Sequence, residues 1–200
     1  PSLARAKAKA NRIKCVNNIG NVYKAGLAFA HDNTERLPWQ LTPQGGQMHF
    51  GGEATTDIGA IFSIKLVKDG LGNADVLASP CDPDVQGPME EALPIWPSFT
   101  PAQPIPCEAL SYVLCEGADA GRPATVIAAT HNIDGGLSGR WLGADTDPDH
   151  DNSMAGLDAS QGQVALMDGS AQQSTDADLG PEGLISGQHK RSKSGQITKG

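Results

Sequence analysis

Along the first 31 residues, Ile13, Val16, Ile19, Tyr23, Leu27 and Ala30 recur at spacings of three and four. That period places them on one face of an amphipathic helix. Upstream the pattern changes: Arg5, Lys7, Lys9, Arg12 and Lys14 alternate with alanine and no acid offsets them. Alanine and lysine favour helix, so one continuous helix over residues 1–31 is predicted, with only its second half having a face to bury. The polar cluster His31-Asp32-Asn33 marks its exit. The chain opens on Pro1, which reads as the start of a trimmed fragment.

Residues 34–56 carry Pro38, Pro43 and two Gly-Gly pairs and read as a long loop, with Trp39 and Phe50 as anchors. Ile58, Ile61, Phe62, Lys65, Leu66 and Asp69 return to helical spacing. A second helix over 57–72 is therefore predicted, capped by Thr55, Thr56 or Asp57 and ended by Gly70 or Gly72. Six prolines between 88 and 106 predict an irregular excursion outside the core. Three β-prone stretches follow: 109–115, 123–131 and 161–170. The last ends on Asp168-Gly169, a hairpin signal, and Ala171–Ser174 can form the returning strand.

These elements predict an α+β domain: a long N-terminal amphipathic helix packed on a small antiparallel sheet. Gly 24 and Pro 14 in 200 residues argue for a loop-rich body over a helical bundle. The expected organisation is one domain, with helix 1–31, a loop-rich head 32–185 and a basic, flexible tail 186–200. No run of about 18 apolar residues occurs.

Charge sharpens the picture. The formal net charge of −8 conceals an uneven distribution, since residues 69–189 hold nineteen carboxylates against Arg122 and Arg140. A body this acidic excludes general nucleic-acid binding, which needs a basic surface to neutralise phosphate. The basic helix start suits a position beside anionic lipid headgroups, or simply a solvated helix end.

Several motifs coincide with the helical pattern. Ser2-Leu3-Ala4-Arg5-Ala6-Lys7-Ala8-Lys9, Ile13-Lys14-Cys15-Val16-Asn17-Asn18, Gly26-Leu27-Ala28 and the Leu37-Pro38-Trp39 step follow one another in order. This region resembles the segment just after the membrane helix in bacterial type IV pilin-like proteins. More narrowly, it is similar to the type II secretion pseudopilin-like group with a prepilin-type leader and a late H-x9-DG motif. Ser111-Tyr112 and Asp168-Gly169 match that group. Ser79-Pro80-Cys81-Asp82 matches its C-P-x-D segment only in part. The motif's histidine position is Asp158 here, and His131-Asn132 stands 37 residues before Asp168.

The resemblance implies a pilin-like fold, an upstream apolar helix processed and methylated by a prepilin peptidase, and an inner-membrane anchor with a periplasmic or extracellular head. It implies assembly as a homo-oligomer or with sister pseudopilins in an open filament, whose head-to-tail contacts do not close into a ring. The docking face would be Ile13, Val16, Ile19, Tyr23 and Leu27. The competing expectation is a membrane-tethered module, ordered by calcium, that binds a ligand and does not polymerise.

Candidate chemistry is sparse. Asp145, Asp147, Asp149 and Asp151 alternate, and Asp158 falls at position twelve when Asp147 is position one. Calcium takes six to eight oxygens, and such a loop can supply several. Asn152 replaces the EF-hand glycine and no Glu closes the loop, so a non-EF Ca2+ loop or a solvated acidic loop are the two readings. The resemblance favours the first, because major pseudopilins hold calcium in a C-terminal loop.

The four cysteines show no Cys-x2-Cys zinc pair. If an exported chain forms a disulfide here, Cys81 with Cys107 or Cys115 is the expected pairing, since Cys15 lies near the helix's buried face; free buried thiols are the alternative. Neither a zinc-type His-x3-His pair nor a phosphate loop occurs, and Cys81 with His131 is a nucleophile–base pair that spacing does not specify. The expectation is a structural protein and not an enzyme.

Overall fold

A computed structural model describes residues 1–143 and 153–192. Helix α1 spans Ser2–Asp32 without interruption. Its exit uses the polar cluster: the Asn33 side-chain Nδ2 donates to the Phe29 carbonyl at 2.8 Å, and Asn33 Oδ1 meets His49 Nε2 at 2.8 Å. Thr34 and Glu35 then adopt left-handed backbone, φ 56° and 60°, and turn the chain sharply away.

The expected loop over 34–56 contains helix α2, Pro43–Phe50. Thr42 caps it by accepting from the Gly45 amide at 3.2 Å, Pro43 opens it, and left-handed Gly51 ends it. The prolines and Gly-Gly pairs read as loop, yet the Thr-Pro start and glycine stop are ordinary helix punctuation.

The expected second helix, 57–72, is two: α3, Ile58–Phe62, and α4, Lys65–Leu71. Asp57 caps the first by accepting from Ala60 at 2.7 Å. The break falls where buried Ser63 accepts from the Ile105 amide at 2.9 Å and Ile64 becomes extended. The change of direction lets both Ile61–Phe62 and Val67–Leu71 reach the core.

The proline-rich stretch also differs from expectation. Helix α5, Gln86–Ala92, continues into a 3-10 turn at Leu93–Ser98, and Met89, Ala92 and Trp96 are buried. Pro88 lies in the first turn of α5, where amides lack helical partners anyway. Lys68 secures the far end by donating to the Pro97 and Phe99 carbonyls at 3.1 and 2.9 Å, with its ammonium 5.2 Å from the Trp96 ring centre.

Strands β1 (Tyr112–Leu114) and β2 (Val126–Thr130) lead into a two-residue ribbon, β3 (Ile133–Asp134) with β4 (Arg140–Trp141). Strands β5 (Gln161–Leu166) and β6 (Ala171–Thr175) follow, then helix α6, Leu184–Ser192. The main sheet is antiparallel throughout, in the order β1-β2-β5-β6. The Asp168-Gly169 turn closes the β5–β6 hairpin, with Gly169 at φ 92° and Ser170 bonded back to Asp168. This is the α+β arrangement, with a long first helix against a four-stranded antiparallel sheet.

Both faces of the sheet are covered. Tyr112, Leu114, Ala165 and Met167 point to the main core under α1, whereas Val164 and Leu166 point to a rear cluster with Leu137, Trp141, Leu179 and Ile185. A bulge between Val126 and Ala128 breaks strict alternation on β2. Gly162 is the contact point for Trp141: a Cβ there would stand 2.0 Å from the indole. The basic tail expected from residue 186 instead begins inside α6, where Ile185, Ser186 and His189 are buried and His189 Nδ1 accepts from the Val126 amide at 3.1 Å.

Candidate functional site

The first candidate is the seam between α1 and the body. Of the expected docking residues, Ile19 is fully buried, Val16, Tyr23 and Leu27 are half-buried, and Ile13 is 53% exposed. Ile13 is therefore a correction: it lies on the solvent side. The centre of the buried stripe is Cys15, Asn18, Ile19, Val22, Ala25 and Phe29. The stripe is rotated because close approach selects small residues. A Cβ on Gly70 of α4 would stand 3.2 Å from Ala25 Cα, and one on Gly26 would stand 2.6 Å from Ile127 of β2. A pattern of large apolar side chains misses positions where alanine, cysteine and glycine permit contact.

Residues 1–14 of the same helix remain largely in solvent. Arg12 pairs with Asp158 at 2.9 Å and offers its carbonyl to Gln163 Nε2 at 3.2 Å. Arg5, Lys7, Lys9 and Lys14 make no ion pair among the described residues.

Polar groups pin the buried half. Tyr112 at the start of β1 donates to the Cys15 carbonyl at 3.2 Å, and its oxygen lies 3.4 Å from Cys15 Sγ. Beside it, Ser111 Oγ accepts from the Ser79 amide at 2.7 Å, and Ser79 Oγ from the Cys81 amide at 3.0 Å. Cys15 and Cys81 are neighbours in the main core, and their thiols influence each other. The Cys81 thiol, then burial, pushes the Cys15 pKa up. Burial does the same to Tyr112, reinforced by Cys15.

None of the four cysteines forms a disulfide in the structure, so the expected pairing of Cys81 with Cys107 or Cys115 is not present. The long first helix crosses the core and brings Cys15, the residue set aside on sequence grounds, to Cys81. Cys115 is buried in the rear cluster, and Cys107 is exposed.

Asp145, Asp147, Asp149 and Asp151 lie outside the described residues. Asp158 is exposed and engaged by Arg12. Among the described residues, no group of three or more His, Cys, Asp or Glu side chains is placed to hold a metal ion.

A second candidate was not singled out as a site by sequence. A cleft of about 570 Å3 opens beside β1, lined in part by Asp82, His131 and Cys107. Asp82 is wholly buried, and His131 Nε2 donates to its Oδ2 at 2.7 Å. A carboxylate that orients an imidazole is the supporting half of many acid–base sites. Burial, with Asp57 and Glu108 nearby, pushes the Cys107 thiol up, opposite to the activation a nucleophile needs. Cys81 is fully buried and directed to Cys15. Residues 49 positions apart form this pair, so local spacing carried no signal for it.

No protein-family model, curated protein or solved structure matches this chain.

Proposed function

We propose that this chain is the head of a type IV pilin-like or type II secretion pseudopilin subunit, a filament component with a mechanical role and no bond chemistry of its own. The observation that carries the reading is the division of α1. Its second half is the spine of the α+β body, while its basic first half projects without core contacts. A helix built this way suits a body suspended from an apolar segment upstream, with Arg5, Lys7, Lys9 and Lys14 at the lipid headgroups. The ordered motifs of residues 1–39 support the same reading.

Among the described residues no helix is long and apolar enough to cross a membrane, so the proposed anchor lies outside them. In this reading the subunit is held in a bacterial inner membrane and packs against copies of itself or sister subunits through upstream helices. The loops around α2 and α5 form the outer surface of the filament.

The test is the mature N-terminus of the full-length protein isolated from its native membrane, read by mass spectrometry. A methylated aromatic residue followed by about twenty apolar residues is the expected result. A lipidated cysteine, or an ordinary signal-peptide cut, would overturn the filament reading.

A further inference from the structure

We propose that Cys15 and Cys81 are the two halves of a disulfide that joins α1 to the body when the chain folds in oxidising surroundings. Both side chains are wholly buried in the main core. Cys15 Sγ lies 3.4 Å from the Tyr112 hydroxyl, which donates to the Cys15 carbonyl at 3.2 Å. The preceding residue, Ser111, accepts from the Ser79 amide at 2.7 Å, and Ser79 Oγ accepts from the Cys81 amide at 3.0 Å. A second route meets the first. The Gly156 amide donates to the Cys81 carbonyl at 2.8 Å, and a Cβ on Gly156 would stand 2.5 Å from Cys81 Cα. Two residues on, Asp158 pairs with Arg12, about one turn before Cys15 on α1. Contacts through β1 and contacts through residues 156–158 therefore fix Cys81 against the same stretch of helix.

The thiols respond to this placement. The side chain of each cysteine is the largest influence on the pKa of the other, which pushes Cys15 up and Cys81 down; Arg12 also lowers Cys81. Cys81 is thus the sulfur that ionises first and the better opening nucleophile. Neither remaining cysteine is as well placed. Cys115 belongs to the rear cluster, and Cys107 is exposed.

The oxidant is another disulfide, with oxidised glutathione as the probe. The Cys81 thiolate attacks one sulfur of the reagent and releases a first glutathione thiolate. The Cys15 thiolate then attacks the Cys81 sulfur of the mixed disulfide and releases the second. The two protons pass to the released glutathiones, so the reagent's disulfide is reduced to two thiols as the two cysteines are oxidised to one bond. Cys81 has no solvent exposure, so glutathione cannot be carried on it beneath a docked α1. Exchange therefore belongs to the folding chain, or to molecules in which α1 has opened. The inference rests on this seam and does not depend on the filament reading.

The test uses the full chain with Cys107→Ser, which removes the exposed thiol that would link copies. It is refolded in reduced and oxidised glutathione, alkylated, and cut after Lys and Glu. Cuts at Lys14, Lys24, Lys68, Glu90, Glu108 and Glu116 place Cys15, Cys81 and Cys115 on separate peptides. The expected result is residues 15–24 joined to residues 69–90, separable by reductant, with Cys115 alkylated. The linked chain should melt about 10 °C above its reduced form, because the bond closes a long loop. The same oxidant added to the folded, reduced chain should form the link about tenfold more slowly than during refolding.

A chain that refolds with all its thiols free, or a link from Cys81 to Cys115, would overturn the proposal. So would a linked chain that melts no higher than the reduced one, since the two sulfurs would then meet only by distorting the seam. Equal rates of linking in the folded and refolding chains would overturn the shielding by α1. Cys15→Ala should remove both the linked peptide and the difference in melting between oxidised and reduced samples. That variant leaves a cavity in the core and can fail to fold, and the peptide map of the Cys107→Ser chain decides the outcome without it.

Discussion

The two halves of α1 belong to one helix and share almost no environment. From Cys15 to Ala30 the helix is enclosed by α4 on one side and the sheet on the other. From Ser2 to Lys14 it touches the body mainly through Arg12. The first region is helical because packing makes it so, and its composition is mediocre for a helix: Asn17, Asn18, Gly20 and Gly26 are all unfavourable in the interior. The second is rich in the strongest helix formers and has little packing. Propensity maintains one half and tertiary contact the other, so the two should respond differently to the same perturbation.

The largest difference should come from Phe29→Ala. Phe29 is fully buried and packs edge-on against His49, with ring centres 4.9 Å apart. Its truncation is expected to cost about 3–5 kcal/mol in denaturant unfolding. Retention of near wild-type stability would mean that the helix does not sit on the core as described.

A smaller effect is expected from Tyr112→Phe, which removes the hydroxyl joining β1 to the Cys15 carbonyl. The loss should be about 1–2 kcal/mol. The same variant has a pH signature. Burial raises the Tyr112 pKa in the folded state, so the unfolded chain releases that proton first as pH rises. Folded stability should therefore be fully present below about pH 10, the ordinary tyrosine range, and decline above it. Tyr112→Phe should flatten part of that alkaline decline. An unchanged slope would place the titration elsewhere.

Arg12→Ala probes the boundary between the halves. The ion pair with Asp158 is partly exposed and largely screened, so the change should cost at most about 1 kcal/mol and fade in high salt. Smallest of all, Lys7→Ala or Lys9→Ala should shift stability by no more than about 0.5 kcal/mol. Hydrogen exchange then sharpens the contrast within one molecule. Amides of Ile19–Phe29 should exchange only on global opening, while those of Arg5–Ala10 should exchange through local fraying. Equal protection across the helix would show that the basic half is covered by a partner in solution.

Much of the architecture could be read from local pattern. The first helix, the β-prone stretches and the Asp168-Gly169 hairpin rest on periodicity and turn chemistry that act within a few residues. Element breaks were less legible. The split at Ser63–Ile64 depends on the Ile105 amide, 42 positions away, claiming the serine hydroxyl. The core role of 86–98 is not legible locally, because a run of prolines predicts an irregular excursion, whereas Pro88 fits within the first turn of a helix.

The sites follow the same division. Helical spacing located the docking region but not its axis. Ile13 satisfies the period and lies outside, while Cys15, Ala25 and Gly26 do not stand out by hydropathy and lie at the contact. Asp82 with His131, and Cys15 with Cys81, come together only because α1 and Ser111, at the foot of β1, both pack against the 77–82 segment and Ser111 also accepts from the His131 amide.

By itself the amino-acid sequence determined the α+β class, the continuous first helix, the charge division along it and the closing hairpin, because each depends on propensity and period over neighbouring residues. Only the tertiary structure decided which helical face is buried, which thiols meet and where a carboxylate loses its solvent. Those outcomes depend on how closely two backbones approach, and that distance is set by side chains far apart in the chain.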